Sequence, residues 1–222
     1  MEKILAGVRR FRAEEFPRQR DLFEQLAQKQ QKPKALFITC ADSRVHPNLI
    51  TMTEPGDLFL LRNAGNIIPP NGQLGGGEAA TIEYSVEVLG IQHIIICGHS
   101  QCGAMQALLA NRALDELPAA RAFFAHAEAT RRIVQQKYRD KGLSPQDLLM
   151  AATEENVLVQ LNNLSTHPSV AARLASGEVS VYGWYYDIAS GNVLQYDQGR
   201  GRFIELDGQA QAAAPLPIRT TA

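Results

Sequence analysis

Sulfur, tryptophan and surplus charge are all scarce in this chain. Cysteine occurs three times in 222 residues, at positions 40, 97 and 102, and tryptophan once. An odd, sparse cysteine set excludes a disulfide-stapled scaffold and directs attention to metal binding or catalysis. The 22 basic and 23 acidic side chains nearly cancel, so no positive field exists to hold a nucleic acid or an anionic membrane surface. Long apolar runs are missing too: Leu58–Leu61 and Ile94–Cys97 fall far short of the roughly 20 residues that span a bilayer. The N-terminus turns charged at Arg9 and Arg10 and lacks the apolar stretch and cleavage site of a secretory signal. A cytoplasmic location is therefore expected.

What is present is 45% hydrophobic and 20% charged residues, enough for one well-buried domain over residues 1–206. Beyond it, 207–222 are rich in Ala, Gln, Pro and Thr and are expected to form a flexible tail. Ile4, Val8, Phe11, Leu22, Phe23 and Leu26 recur at helical spacing and predict an N-terminal arm over 1–31, broken or kinked at Pro17. Such an arm packs either on a partner subunit or on its own core. Ala35–Thr39, Asp57–Arg62 and Ile94–Cys97 read as short buried strands, with a helix over Glu78–Leu89 between the last two. Strand, crossover helix and strand in succession predict an α/β fold with a central, mostly parallel sheet flanked by helices. Leu114 to about Leu164 reads as helical. Val179–Ile188 and Val193–Tyr196, joined by Ala189–Asn192, predict a C-terminal antiparallel hairpin on the sheet edge.

Cys40 follows one predicted strand and His99 another, and in an open parallel sheet such carboxyl ends gather on one side. His99 and Cys102 lie three apart at a helix start, so one turn can present both to one point, and the helix N-terminus favours the Cys102 thiolate. Two sulfurs and an imidazole leave a fourth position open, the arrangement of a catalytic rather than a structural zinc site. Asp42 and Arg44 follow Cys40 closely. They form either a catalytic carboxylate kept ionised by its partner or an ion pair that only fixes a loop.

The run Cys40-Ala41-Asp42-Ser43-Arg44, with Gly98-His99-Ser100-Gln101-Cys102-Gly103 later, resembles the paired signature of the β-class carbonic anhydrases. Glu54–Phe59, Arg62–Asn66 and Gly183–Asp187 extend the resemblance over nearly the whole chain to about residue 206. The Asp21–Leu26 and Glu128–Arg132 stretches are similar to the cyanobacterial, carboxysome-associated branch. The long C-terminal extension of some members of that branch has no counterpart in the sequence, which counts against carboxysome docking. The resemblance implies one Zn²⁺ per chain on Cys40, His99 and Cys102, and reversible hydration of carbon dioxide to bicarbonate and a proton. Zinc lowers the pKa of a water it binds to about 7, a value borrowed from a carbonic anhydrase with three histidine ligands. It further implies that Asp42 accepts the proton of the attacking oxygen, or becomes a fourth zinc ligand in a closed state when Arg44 releases it.

By the same resemblance Phe59 and Tyr84 wall the substrate pocket, Gly103 offers its backbone N–H, and Gln31 reaches in from a neighbouring subunit. That makes the protein a homodimer or a higher homo-oligomer. On their own, Phe59 reads as strand core, Tyr84 as helix core and Gln31 as surface polar. In another branch a non-catalytic bicarbonate site uses a Trp three residues before the first zinc ligand. That position is Phe37 here, so this regulation is not expected, although Arg62 and Tyr186 fit the rest of the pattern.

Cys97 reads as inert core and Trp184 as a core aromatic on the hairpin. His126 reads as a helix face and His167, before Pro168, as a helix-breaking turn. Gly75–Glu78 lacks the ending of a phosphate loop. A serine-hydrolase elbow at Gly98–Cys102 fails because Cys102 stands where the motif needs Gly. The remaining rivals are a same-fold zinc hydrolase of carbon disulfide or carbonyl sulfide, and a zinc-stabilised scaffold that binds carboxysome proteins.

Overall fold

The structure, a computed structural model, describes residues 1–72, 76–110 and 116–206. The predicted tail, Gly75 of the glycine run and Leu114 at the start of the predicted helical stretch lie outside the described residues. By its internal contacts the chain divides into two units, Met1–Lys32 and Pro33–Ala222.

The first unit contains α1 (Glu2–Arg10), a π-helical turn over Phe11–Glu15, α2 (Phe16–Arg18) and α3 (Arg20–Gln28). The helical stretch is interrupted at Gln19, two residues after Pro17, which sits within α2 and whose missing N–H leaves a gap in the ladder. Phe11, Phe16 and Phe23 close around it, with ring centroids 5.5 to 6.1 Å apart. None of the helical residues of this unit is buried, and Ile4, Leu5 and Val8 expose an apolar face.

The second unit runs β1 (Ala35–Cys40), α4 (Pro47–Ile50), β2 (Leu58–Asn63), α5 (Gly77–Glu87), β3 (His93–His99), α6 (Gly103–Ala110), α7 (Pro118–Phe124), α8 (Glu128–Tyr138), α9 (Pro145–Ser165), α10 (Pro168–Ala175), β4 (Ser180–Tyr186), β5 (Val193–Asp197) and β6 (Arg202–Glu205). The strands form one sheet in the order β2-β1-β3-β4-β5-β6. The first four are parallel and the last two antiparallel. The mostly parallel sheet and the added hairpin are as the sequence predicts; β6 is a further strand that sequence reasoning missed. His167 lies in the turn that separates α9 from α10, as the sequence predicts; Pro168 then opens α10, because proline is well suited to the first turn of a helix, where its missing N–H has no partner to lose. His126 lies in a short 3₁₀ turn rather than on a helix face.

β1 alternates its side chains between two cores. Leu36 and Ile38 join Ile82, Val86, Ile94, Ile96 and Val157 on one face, while Phe37 joins Ile95 and Cys97 on the other. Each fully buried Leu, Ile or Phe contributes about 1.5–3 kcal/mol. Helix α9 lies close against β3 and β4 because both strands carry glycine beneath it. A Cβ on Gly98 would meet Thr153 Cγ2 at 2.7 Å, and one on Gly183 would meet Val157 Cγ1 at 2.9 Å.

The buried polar residues of α9 have a specific task. Asn156 donates to the Gly65 carbonyl at 3.0 Å, Gln160 accepts from the Ile68 N–H at 2.8 Å, and Asn163 donates to the Ile68 carbonyl at 2.9 Å. Segment 65–69 has no sheet or helix of its own, and buried backbone groups must find partners. This ladder supplies them and fixes the segment that leads to the site.

Glu154, also on α9, has its pKa raised to about 7, first by burial and then by the Glu155 charge, with Lys137 pulling the other way. A carboxyl raised in the folded state is the reverse of the usual acidic case. Its penalty is absent below the unfolded value, grows as pH climbs past that value, and is complete above about 7. Glu154→Gln is therefore expected to raise the melting temperature at pH 8 by a few degrees and to leave it unchanged near pH 4. An equal shift at both pH values in thermal melts would refute this.

Candidate metal centre

Two strand ends and one helix start meet at a single point. In the register, Thr39 pairs with Cys97, so Cys40 stands level with Gly98 and His99 lies one step beyond it. The chain moves from β1 to β2 on one side and returns to β3 on the other, which makes their carboxyl ends a topological switch point. Cys102 directly precedes α6, whose first backbone N–H groups, those of Ala104 and Met105, favour its thiolate form. The ligand atoms of Cys40, His99 and Cys102 all lie within 4.8 Å of one another, and all three residues are buried.

The donor set fits a metal cation. His99 Nδ1 lies 2.9 Å from the Ser100 carbonyl oxygen. A carbonyl can only accept, so the proton is assigned to Nδ1 and the lone pair to Nε2. Nε2 is buried with no hydrogen-bond partner among the described residues. Such an orphan is costly unless an ion meets it. The Gly65 N–H bonds Cys40 Sγ at 3.3 Å. Gly65 has φ +82°, and a Cβ there would meet Ala104 Cβ at 2.9 Å, so this approach needs glycine. The two sulfurs lie close enough to perturb each other. A hydrogen bond from Cys102 holds the Cys40 thiol down to about 4, while the Cys40 sulfur and burial push the Cys102 thiol up. A divalent cation held by both sulfurs would favour the thiolate form of each.

Asp42 stands beside this cluster, its Oδ2 4.0 Å from His99 Nε2. Arg44 donates to it from three points: Nε to Oδ1 at 2.9 Å, Nη2 to Oδ2 at 2.7 Å, and the backbone N–H to Oδ1 at 3.0 Å. The Arg44 side chain holds the Asp42 carboxyl well below the usual range, more than offsetting the effect of burial. Arg44 also donates to the Gln101 carbonyl at 3.1 Å, where Gln101 adopts φ +57°. A non-glycine residue in this region is uncommon, and here it aims a carbonyl from the ligand loop at the arginine.

A sequence profile described as "Carbonic anhydrase" matches residues 35–193. The chain is 49% identical over 196 residues to a carbonic anhydrase of Synechococcus elongatus, covering 88% of this chain and 71% of that one. It is 46% identical to a carbonic anhydrase of Pseudomonas aeruginosa, covering 93% and 92%. The solved structure of the β-carbonic anhydrase CcaA superposes with a TM-score of 0.90 at 47% identity, covering 96% of this chain and 94% of that one. The chain belongs to the β-class carbonic anhydrases. It is an enzyme of reversible carbon dioxide hydration. Zinc is the metal of that class, and Cys40, His99 and Cys102 are positioned to hold it.

The other residues named from the sequence are dispersed. Gly103 opens α6 beside Cys102, exposed and with open space where a Cβ would stand; an N–H at this position has no intrahelical acceptor. Phe59 and Tyr84 lie together, ring centroids 6.1 Å apart, with Tyr84 44% exposed. Phe59 pairs with Leu36, four residues before Cys40 and hence about 13 Å down the strand from it. Gln31 is exposed and belongs to the N-terminal unit. Sequence reasoning missed the Gly65 N–H, the Ser100 carbonyl and the Gln101 backbone. All three act through main-chain atoms, which side-chain spacing does not report.

Cys97 is buried in the opposite core, and burial pushes its thiol up to about 12, in keeping with an inert role. Ser100 Oγ accepts from the Ile188 N–H at 2.9 Å. No helix among the described residues is long and apolar enough to cross a membrane.

Proposed function

We propose that Asp42 orients the attacking water in carbon dioxide hydration and that Arg44 keeps it in place. The observation carrying this reading is the Asp42 carboxylate, gripped at both oxygens by Arg44 and 4.0 Å from the orphaned His99 nitrogen. Cys40, His99 and Cys102 would hold the zinc, which when bound supplies a Lewis acid that activates water near neutral pH. An ionised carboxylate accepts hydrogen bonds and cannot donate them. Asp42 therefore accepts from the water O–H and turns an oxygen lone pair towards the carbon of the substrate. The Arg44 pairing supports a state in which Asp42 stays off the metal. The Gly103 N–H is free to donate to a substrate oxygen. Stopped-flow carbon dioxide hydration by Asp42→Ala tests the assignment.

The apolar wall has to come from another copy. Phe59 stands too far along the strand from its own Cys40, and Tyr84 on α5 lies against Phe59, so in this reading they, like Gln31, serve the site of a second subunit. Related enzymes include tetrameric ones from Sordaria macrospora, 26% identical with a TM-score of 0.76. The enzyme would then be a dimer at least, with residues 1–206 as one catalytic domain and 1–31 as its arm. Sedimentation velocity is expected to give a dimer or larger species carrying all the activity; an active monomer would contradict this. Identities of 49% and 48% to the enzymes of Synechococcus elongatus and a Synechocystis strain support a cytoplasmic location and, more finely, a carboxysomal one. Co-sedimentation with purified carboxysomes would test the finer placement.

A further inference from the structure

Arg62 sits on the edge strand β2, opposite Thr39 in the register, and its guanidinium reaches across to the end of β1. There Nε and Nη2 donate to the Cys40 carbonyl oxygen at 3.1 and 3.0 Å, and Nη2 donates to the Asp42 carbonyl oxygen at 2.8 Å. At this end of β1 the Ala41 N–H still donates to the Asn63 carbonyl at 2.8 Å. Beyond it the chain turns: the Arg44 N–H donates back to the Asp42 carboxylate at 3.0 Å and the Val45 N–H to the Asp42 carbonyl at 3.1 Å. Arg62 thus grips the main chain on both sides of Ala41, at a metal ligand and at the carboxylate residue.

We propose that Arg62 is a positioning residue that sets where Asp42 stands relative to the Cys40–His99–Cys102 cluster. The proposal rests on the reading of Asp42 given above. Guanidinium donors lie in one rigid plane. Two carbonyls two residues apart, held by that plane, cannot rotate independently, so the turn from Cys40 to Asp42 keeps one geometry. Arg44 cannot supply this. Its bonds go to the Asp42 carboxylate and the Gln101 carbonyl and leave the peptides from 40 to 42 free to pivot. The two arginines divide the work: Arg62 fixes the main chain at Asp42, and Arg44 fixes its carboxylate. A lysine at 62 would keep the charge but lose the plane, so charge alone is not expected to replace it.

A double-mutant cycle on the zinc-loaded full-length protein tests this, with Arg62→Ala, Asp42→Ala and the combination compared with wild type. Stopped-flow hydration, zinc content, thermal unfolding and the absorption spectrum of the cobalt-substituted protein are read for each. Arg62→Ala is expected to fold, to keep stoichiometric metal and the cobalt bands of the intact ligand set, and to lower kcat about ten- to a hundredfold with KM little changed. In the Asp42→Ala background the same change is expected to cost less than about twofold, because the two residues act as one unit. Equal losses in both backgrounds would overturn the proposal, as would full activity of Arg62→Ala or full rescue by Arg62→Lys. If Arg62→Ala does not fold, Arg62→Lys carries the same cycle with the same criterion. A fully active Asp42→Ala would instead sink the reading of Asp42, and it is scored on that variant alone.

Discussion

Cys102→Ala is expected to yield a folded protein that cannot retain stoichiometric zinc and has only background hydration activity. The fold should survive because the sheet core, built from Leu36, Ile38, Ile94, Ile96 and their neighbours on α5 and α9, does not include the cluster. The metal should not survive. Three protein ligands already leave one vertex open, and structural sites with four ligands draw about 10–16 kcal/mol from zinc. Removing one of the three ligands, and one of the two thiolates, takes away a large share of a smaller total. It also leaves the Cys40 sulfur without its Cys102 partner and His99 Nε2 without a cation. Metal analysis after dialysis against a weak chelator reads the outcome directly. Cys97→Ala is the matched control. It deletes a sulfur of equal burial from the other core and is expected to keep both zinc and activity, at some cost in stability. If Cys102→Ala binds zinc as tightly as wild type, the ligand assignment is wrong.

Asp42→Ala is the second large effect. Zinc content should stay near one per chain, since the three ligands remain, while kcat falls by about two to four orders of magnitude, the range for losing a positioned acid–base group. Asp42→Asn should fall almost as far, because an amide nitrogen donates where the carboxylate accepts. The pH dependence gives an independent check. Arg44 lowers the pKa of Asp42 in the folded protein. For a carboxyl lowered on folding, the stabilising contribution is present above the unfolded value and is lost only as pH falls through the folded one. Asp42 is thus ionised throughout the neutral and alkaline range, and its titration should not shape the activity profile between pH 6 and 9. A wild-type profile whose acid limb vanished in Asp42→Ala would contradict this.

Much of this was legible in the chain itself, for identifiable reasons. β1 and β3 end at ligands, and their apolar runs are short, almost uninterrupted and separated by a helix at the right spacing. Parallel order and a shared carboxyl end follow from that pattern. His99 and Cys102 were readable because three residues is a turn. Cys40 and Asp42 were readable because a β-class signature spans them. The strand β6 was missed because Arg202–Glu205 is short, and half of it is polar on an edge. The turn at His167 was readable from Pro168, but the helix α10 that follows was not, because proline before a helix and proline after one look alike without the residues that pack on it. The polar stripe of buried Asn156 and Gln160 and half-buried Asn163 had no meaning until segment 65–69 was seen to need donors and acceptors. The distance between Phe59 and Cys40 is a matter of register, which neither residue reveals alone. Arg62 fitted part of a family pattern whose regulation was not expected here, because Phe37 stands in place of the Trp; its grip on the Cys40 and Asp42 carbonyls is a matter of three-dimensional reach that the sequence does not report.

X-ray absorption at the zinc K edge of the purified enzyme bears most directly on the central claim, that two cysteines and a histidine from separate stretches of chain hold one ion. The account predicts one zinc per chain, with two sulfur scatterers at about 2.3 Å and nitrogen or oxygen scatterers at about 2.0–2.2 Å. A first shell without sulfur, a shell with a single sulfur, or protein that purifies without zinc would contradict it.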